Sequence, residues 1–490
     1  MLLLWLIIIP FVFSLLSLSM EIIKRIKIAK YISLIGLNIT LVLCIIEWLK
    51  KKSQLATNIH DNFIWKSELS YPWISKFGIE FHLGLDSFSF IMVILTCFFG
   101  IISLLIQTEK KNKSYKIFYF YFMSMIGSII AILISLDLFL FFCFWELLSI
   151  PIYFILIFNG KKTVYKQDRI SIANQFLMYS QISGILFLCG SLFLSLLYYN
   201  LHHYWTFNYN LLSNMLISSE KNQIFILLLF CFSFFIKIPL IPFHGWFIKV
   251  QKISPISGSL DVTGLLIKVA VYSLIRFHFI FYPKIVEKFS IFLIIISLSN
   301  IAYSSYMAMS KKDIRQILAY SAISHASMVL IGLCNINIWS YQGIILNVIA
   351  NTISIGSLLI LSSQLYRNLK THNIDRMGGL WGNINFIPFF FLFFLFSNLG
   401  IPGTANFLSE FIIISHFFNS YPIISFLISF CFLFSSIYSL RLFQKIFYGN
   451  INRMSLFENN GFIEVIILSF LSVLTIYIGL FPKYFLNFYL

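Results

Sequence analysis

Five ionisable side chains stand inside long apolar stretches of this sequence, where solubility cannot explain them. They are Glu146 in Phe144-Trp145-Glu146-Leu147, Lys237 before Ile238-Pro239, Lys268 after Leu265-Leu266-Ile267, His325 after Ser321-Ala322-Ile323-Ser324, and Glu410 after Phe407-Leu408-Ser409. A charge at mid-bilayer costs about 2.5–3.5 kcal/mol on insertion scales, so each needs a partner, water or a purpose. These types suit a proton relay. Burial disfavours a charged amine and a nearby carboxylate restores it, so moving one partner loads or releases a proton. Glu146 and Lys237 are the expected coupled pair. A single such pair could equally be a static ion pair that fixes helix packing; five sites on five spans favour a relay. Four other residues read as structural. His244 caps or packs a broken helix as readily as it carries a proton, Asp137 opens a helix, Asp261 opens another beside Gly258 and Ser259, and Arg276 snorkels from a helix end.

The elements that must hold these groups are membrane helices. Of 490 residues, 59% are hydrophobic and 11% charged, too little polar surface for a water-soluble globule of this size. Spans of membrane-crossing length are expected at 2–20, 31–49, 85–107, 117–136, 137–158, 174–199, 222–247, 258–281, 289–309, 316–336, 341–365, 386–416, 421–440 and 462–482. The fold class is therefore all-α and polytopic, with about 14 transmembrane helices. The first stretch lacks a basic leader and reads as a retained helix. Loops after odd-numbered spans hold 23 Lys and Arg against 9 elsewhere outside the spans, which puts the odd loops in the cytoplasm and both termini in the periplasm. The formal charge of +17 is spread over these loops and reads as topology, not as a nucleic-acid surface.

Two spans are interrupted. The seventh breaks at Lys237-Ile238-Pro239-Leu240-Ile241-Pro242-Phe243-His244 and the twelfth at Leu399-Gly400-Ile401-Pro402-Gly403. Breaks five spans apart belong to units of opposite orientation, the inverted-repeat plan in which broken helices mark a transport site. The seven cysteines lie in apolar stretches without metal or iron–sulfur spacing, and no phosphate loop or dinucleotide fingerprint is present. Redox chemistry and NADH binding by this chain are not expected.

Several stretches together resemble the antiporter-like membrane subunits of respiratory complex I, the NADH:quinone oxidoreductase. They are Phe81 to Asp86, Asp137 to Glu146, Lys237 to Trp246, Gly258 to Lys268, Ile317 to His325, Met377 to Trp381 and Gly400 to Glu410. The resemblance implies N-terminal helices over 1–116, inverted five-helix repeats over 117–285 and 286–450, and a last helix over 451–490. It implies a proton channel with Glu146 and Lys237 coupled, Lys268 and His325 as relay sites, and Glu410 as terminal exchanger. Glu410 marks one subunit type, since its sisters carry Lys there. No cofactor is implied in this chain; NADH, FMN, iron–sulfur clusters and quinone would lie in partner subunits. The implied partners are other complex I membrane subunits, especially sister antiporter-like ones, and lipid, and the implied place is a bacterial inner membrane or, alternatively, a mitochondrial one. Alternatives are a subunit of a cation/proton antiporter or hydrogenase-linked membrane complex, and a spacer whose channel has decayed. Three departures from the family stand out, and the first two bear on the last alternative. Asn351 stands where the family usually has histidine, Phe247-Ile248-Lys249-Val250-Gln251 lacks an acid and a histidine, and Asp313-Ile314-Arg315-Gln316 has one base in place of two.

Overall fold

In a hydrocarbon interior a backbone must satisfy its own N–H and C=O groups, so long apolar runs become helices. The computed structural model describes residues 1–50, 65–107, 117–161, 164–215, 219–255, 266–278, 283–335, 337–382, 386–450 and 462–483. Asp261, with Gly258 and Ser259, lies outside the described residues. In chain order the helices are α1 Leu2–Ile22, α2 Ile26–Lys50, α3 Ser87–Ile106, α4 Phe118–Ile134, α5 Leu138–Asn159, α6 Lys166–His202, the short α7 Tyr209–Ser213, α8 Glu220–Lys237, α9 Gly245–Ile253 and α10 Leu266–Ser273. There follow α11 Pro283–Ser310, α12 Ile314–Cys334, α13 Ile338–Leu369, α14 Ile387–Asn398, α15 Ala405–Ser420, α16 Pro422–Phe447 and α17 Phe462–Leu480. Among the described residues, 10 helices are long and apolar enough to cross a membrane.

Hydropathy locates these helices but does not fix their ends. α6 begins eight residues before the expected 174, and α13 begins where Asn337 and Ser340 form a reciprocal capping box. Both expected interruptions are present. α8 stops at Lys237 and α9 resumes at Gly245; α14 stops at Asn398 and α15 resumes at Ala405, where the Thr404 side chain caps it.

One element departs from an all-α reading. Ser67–Ile74 and Ile79–Leu85 pair as an antiparallel hairpin, β1 and β2, with Ser67 opposite Leu85. Between them Gly78 takes φ +61, and a Cβ there would lie 1.8 Å from the Trp205 carbonyl oxygen, so only glycine fits. The hairpin is fixed to the helix ends by Leu136 N donating to His82 O at 2.9 Å and Glu80 N donating to Asp137 Oδ2 at 3.1 Å. Asp137 also accepts from Phe139 N and Leu140 N, so its role is that of a helix cap, as expected.

Arg276 corrects the sequence reading. It does not snorkel: it is 5% exposed, in a π-helical turn (Leu274–His278), with Nη1 3.5 Å from Asp86 Oδ1. Tyr272 also bonds it, and Trp65 covers the guanidinium at 4.1 Å. An arginine near a helix end reaches for water only when no protein group shields it; here the segment before α3 supplies the acid and the aromatic lid.

α12 and α13 are the innermost helices, their membrane-length windows buried throughout. α12 packs on α11, α13 and α9, and α13 on α15 and α14. At the far end α17 is latched to α13 by Glu464, which accepts from Gln364 Nε2 at 2.7 Å and from Arg367. Replacing Asp86 by Ala strands Arg276 without its counter-charge and should cost about 3–5 kcal/mol. Thermal unfolding of the detergent-solubilised protein checks this; Asp86→Ala with an unchanged melting temperature would show that the guanidinium needs no acid.

Candidate functional site

The first cluster forms where α8 ends. Lys237 is its last residue, so the amine sits at a helix C-terminus whose carbonyls carry partial negative charge. The prolines at 239 and 242 remove backbone donors from the connection to α9, and side chains satisfy what the break exposes. Trp246 Nε1 donates to Ile236 O at 3.1 Å, and Ile241 N donates to Asn300 Oδ1 at 2.7 Å.

Lys237 is 3% exposed, and its Nζ donates to Ser180 Oγ at 2.6 Å while lying 5.0 Å from the centre of the Trp145 ring. The next residue on α6, Gln181, donates through Nε2 to Glu146 Oε2 at 2.5 Å. Glu146 and Lys237 form no ion pair within contact distance; two consecutive α6 residues bond them, one each. Reciprocal serines hold this geometry, since Ser183 Oγ donates to Ser233 O at 2.9 Å and Ser233 Oγ to Ser183 O at 2.7 Å. Glu146 Oε1 is buried without a hydrogen-bond partner. It lies over Gly184, where an added Cβ would stand 1.5 Å from it.

The second cluster forms at the second break. His325 on α12 is 1% exposed, and its Nδ1 lies 3.2 Å from Glu410 Oε1 on α15. The atoms are close but not aligned: both lack a hydrogen bond, and so does His325 Nε2. The other carboxylate oxygen faces the break, where Gly400 has φ +71 and a Cβ would come within 2.8 Å of Glu410 Oε2. The broken stretch thereby gives the carboxylate room.

Asn351 belongs to a buried network of carboxamides beside Glu410. Its Nδ2 donates to Asn347 Oδ1 at 2.6 Å, and its Oδ1 accepts from Asn406 Nδ2 at 2.8 Å. Asn406 also reaches Ser354 Oγ at 3.3 Å, and Asn347 reaches Ser409 Oγ at 3.4 Å. The network joins α13 to α15 with neutral groups, which orient one another but cannot hold an extra proton near neutral pH.

Of the five expected residues the structure therefore groups four in two pairs, Glu146 with Lys237 through α6 and His325 with Glu410 directly. Lys268, 9% exposed on α10, makes no hydrogen bond or ion pair with the other four. α10 packs between α8, α4 and α12. His244 makes no side-chain cap at α9; it packs against Tyr303 with ring centres 5.3 Å apart. Ser180, Gln181 and Gly184 were not anticipated, although their polarity and smallness interrupt an otherwise apolar span.

A polytopic bundle with two interrupted helices and ionisable groups buried at both breaks has the form of a membrane ion translocator. The chain belongs to the NADH:quinone oxidoreductase/Mrp antiporter transmembrane family, which matches residues 135–436. It is 39% identical to NADH-quinone oxidoreductase subunit M of Buchnera aphidicola subsp. Schizaphis graminum, over 99% of this chain and 97% of that protein. It is 34% identical to subunit M of Escherichia coli K12, over 99% and 95%. Among solved structures, a chain of respiratory complex I from Thermus thermophilus with bound NADH shares the fold, with a TM-score of 0.84 and 22% identity, over 100% of this chain and 97% of that one. A chain of the archaeal membrane-bound sulfane sulfur reductase does so at 0.85 and 16% identity, over 99% and 96%.

The Gly184 contact yields a direct test. In a high-resolution structure of Gly184→Ala, the Glu146 carboxylate should be displaced and its bond to Gln181 lost, with the helices unmoved.

Proposed function

We propose that this chain is a proton-translocating membrane subunit of NADH:quinone oxidoreductase, multi-pass in the bacterial inner membrane, with electron transfer confined to partner subunits. The observation that carries the reading is the pair of clusters at the two breaks, in a chain whose subunit M relatives align over nearly its full length. The partners are other membrane subunits of that complex, its sister antiporter-like subunits first. NADH, FMN, iron–sulfur clusters and quinone belong to the partners.

In this reading the chain crosses fourteen times, α8 with α9 and α14 with α15 each counting as one interrupted crossing, and both termini are periplasmic. Residues 117–285 and 286–450 are the two inverted repeats, between the N-terminal helices of 1–116 and the last helix of 451–490. The clusters then correspond. α5, α6 and α8 supply Glu146, Gln181 with Ser180, and Lys237; α12, α13 and α15 supply His325, Asn351 and Glu410. In each half a helix that contributes uncharged polar side chains at that level runs beside two that contribute titratable ones.

Glu146 and Lys237 are the coupled pair, and Gln181 and Ser180 hold them just out of contact. A shift that lets them meet stabilises the charged amine; a shift that parts them favours proton release from Lys237. Lys268 and His325 pass the proton on, and Glu410, reached from His325 by a small ring rotation, is the terminal exchanger. The carboxamides at Asn351 position Glu410 and orient water without themselves carrying charge.

Pumping measured in reconstituted vesicles alongside NADH oxidation tests this. Lys237→Ala and Glu146→Ala should each remove most of the pumping assigned to this subunit in a complex that still assembles. Near-normal pumping in both would overturn the assignment. Migration of the chain apart from NADH dehydrogenase activity on a native gel would overturn the function itself.

A further inference from the structure

Away from both breaks, the ends of α5 and α9, the start of α12 and the turn after α13 enclose a second group of basic side chains. Lys161, Arg315 and His372 are 8%, 0% and 6% exposed. Their backbones are tied together: Lys161 N donates to Ile253 O at 2.9 Å, and Ile314 N donates to His372 O at 3.1 Å. Tyr366 stacks on His372 with ring centres 4.4 Å apart and lies 5.8 Å from Lys161 Nζ.

Arg315 commits only one arm of its guanidinium. Nη1 donates to Ser254 O at 2.6 Å, while Nε and Nη2 are buried without partners. Those two N–H groups point the same way and form the fork that grips two oxygens of one oxyanion. Both ring nitrogens of His372 are likewise buried and unpartnered, as are both polar atoms of the neighbouring Gln251.

The charge does not balance either. Asp313 is the acid that acts on both Lys161 and Arg315, and its Oδ1 already accepts from Arg315 N at 2.9 Å as the cap of α12. Burial, the Arg315 guanidinium and Lys252 pull the Lys161 amine down to about 6, against the upward pull of Asp313. Burial together with Arg315 and Lys161 holds the His372 ring well below its ordinary value. Such crowding is relieved either by loss of the protons of Lys161 and His372 or by a bound anion, which would restore the Lys161 charge and use the partnerless N–H groups.

We propose that Lys161, Arg315 and His372 form a binding site for a phosphate group, carried by a free phosphate ion or by the headgroup of an anionic phospholipid. The fork takes two oxygens, and Lys161 with the His372 N–H takes a third, which a carboxylate lacks. A halide presents one centre and leaves the fork half used. The site lies where basic loops gather, the level at which lipid phosphates meet a positively charged protein face. It is separate from the relay, while its place at the membrane face and its test in the intact complex rest on the reading above.

The test uses the intact complex, purified in detergent and stripped of phospholipid by repeated exchange. Equilibrium binding is measured with radiolabelled inorganic phosphate, with dihexanoyl phosphatidate and with dihexanoyl phosphatidylcholine. Saturable binding of phosphate and phosphatidate, weakened about tenfold or more by Arg315→Lys, which keeps the charge and loses the fork, is the expected result. Phosphatidate binding alone, with the same sensitivity, assigns the site to lipid. His372→Asn, which removes a ring and no fixed charge, should weaken binding about threefold; it carries the test should Arg315→Lys fail to assemble. The surface variant Lys166→Gln should change nothing. No saturable binding of phosphate or phosphatidate, equal binding of phosphatidylcholine, or binding that ignores the Arg315 and His372 variants overturns the proposal.

Discussion

A helix that stops inside an apolar bundle leaves carbonyls and N–H groups with no water to turn to, and the site is built around that constraint. At the end of α8 the indole of Trp246 takes one exposed carbonyl and Asn300 takes one exposed N–H, while the prolines at 239 and 242 remove two donors outright. The remaining polarity of the helix end is what makes a buried Lys237 tolerable. Once an amine is housed there, its neighbours are constrained in turn: α6 must bring serine and glutamine to that level, and α5 a carboxylate. The second break uses glycine and a threonine cap and houses an acid where the first houses an amine.

The two clusters differ in how finished their polar contacts are. Around Lys237 every named polar side chain has a partner except one oxygen of Glu146, and the Ser183 and Ser233 pair fixes α6 to α8. Around Glu410 the neutral carboxamides are linked in series, yet the titratable pair is near without being bonded. A satisfied network resists change and an unsatisfied contact invites it. The rigid part of the second cluster is therefore α13 against α15, and its freedom lies in the imidazole and the carboxylate.

Much of this was legible in the sequence because it is local. An ionisable residue inside an apolar span, a Pro pair and a Gly-Ile-Pro-Gly run announce themselves in a few residues, so the five candidates and both breaks could be named. What failed to show is tertiary. Nothing near His325 indicates that its neighbour is Glu410, 85 residues on, and nothing near Arg276 points to Asp86 or Trp65. Gln181 and Gly184 escaped for another reason: amides and glycines in membrane helices serve packing in general, and only the position of Glu146 gives these two a meaning. The hairpin was missed because two short strands between long apolar spans leave no signal that hydropathy can register.

The Gly184 contact also bears on how this sequence can drift. A lipid-facing Ile, Leu or Phe exchanges for another by a single nucleotide change with little loss of apolar surface. Every missense change in the Gly184 codon adds at least one carbon where the Glu146 carboxylate now lies. The two classes of position diverge accordingly: the outer surface of the bundle can exchange one apolar side chain for another, while a residue with no side chain becomes hard to replace.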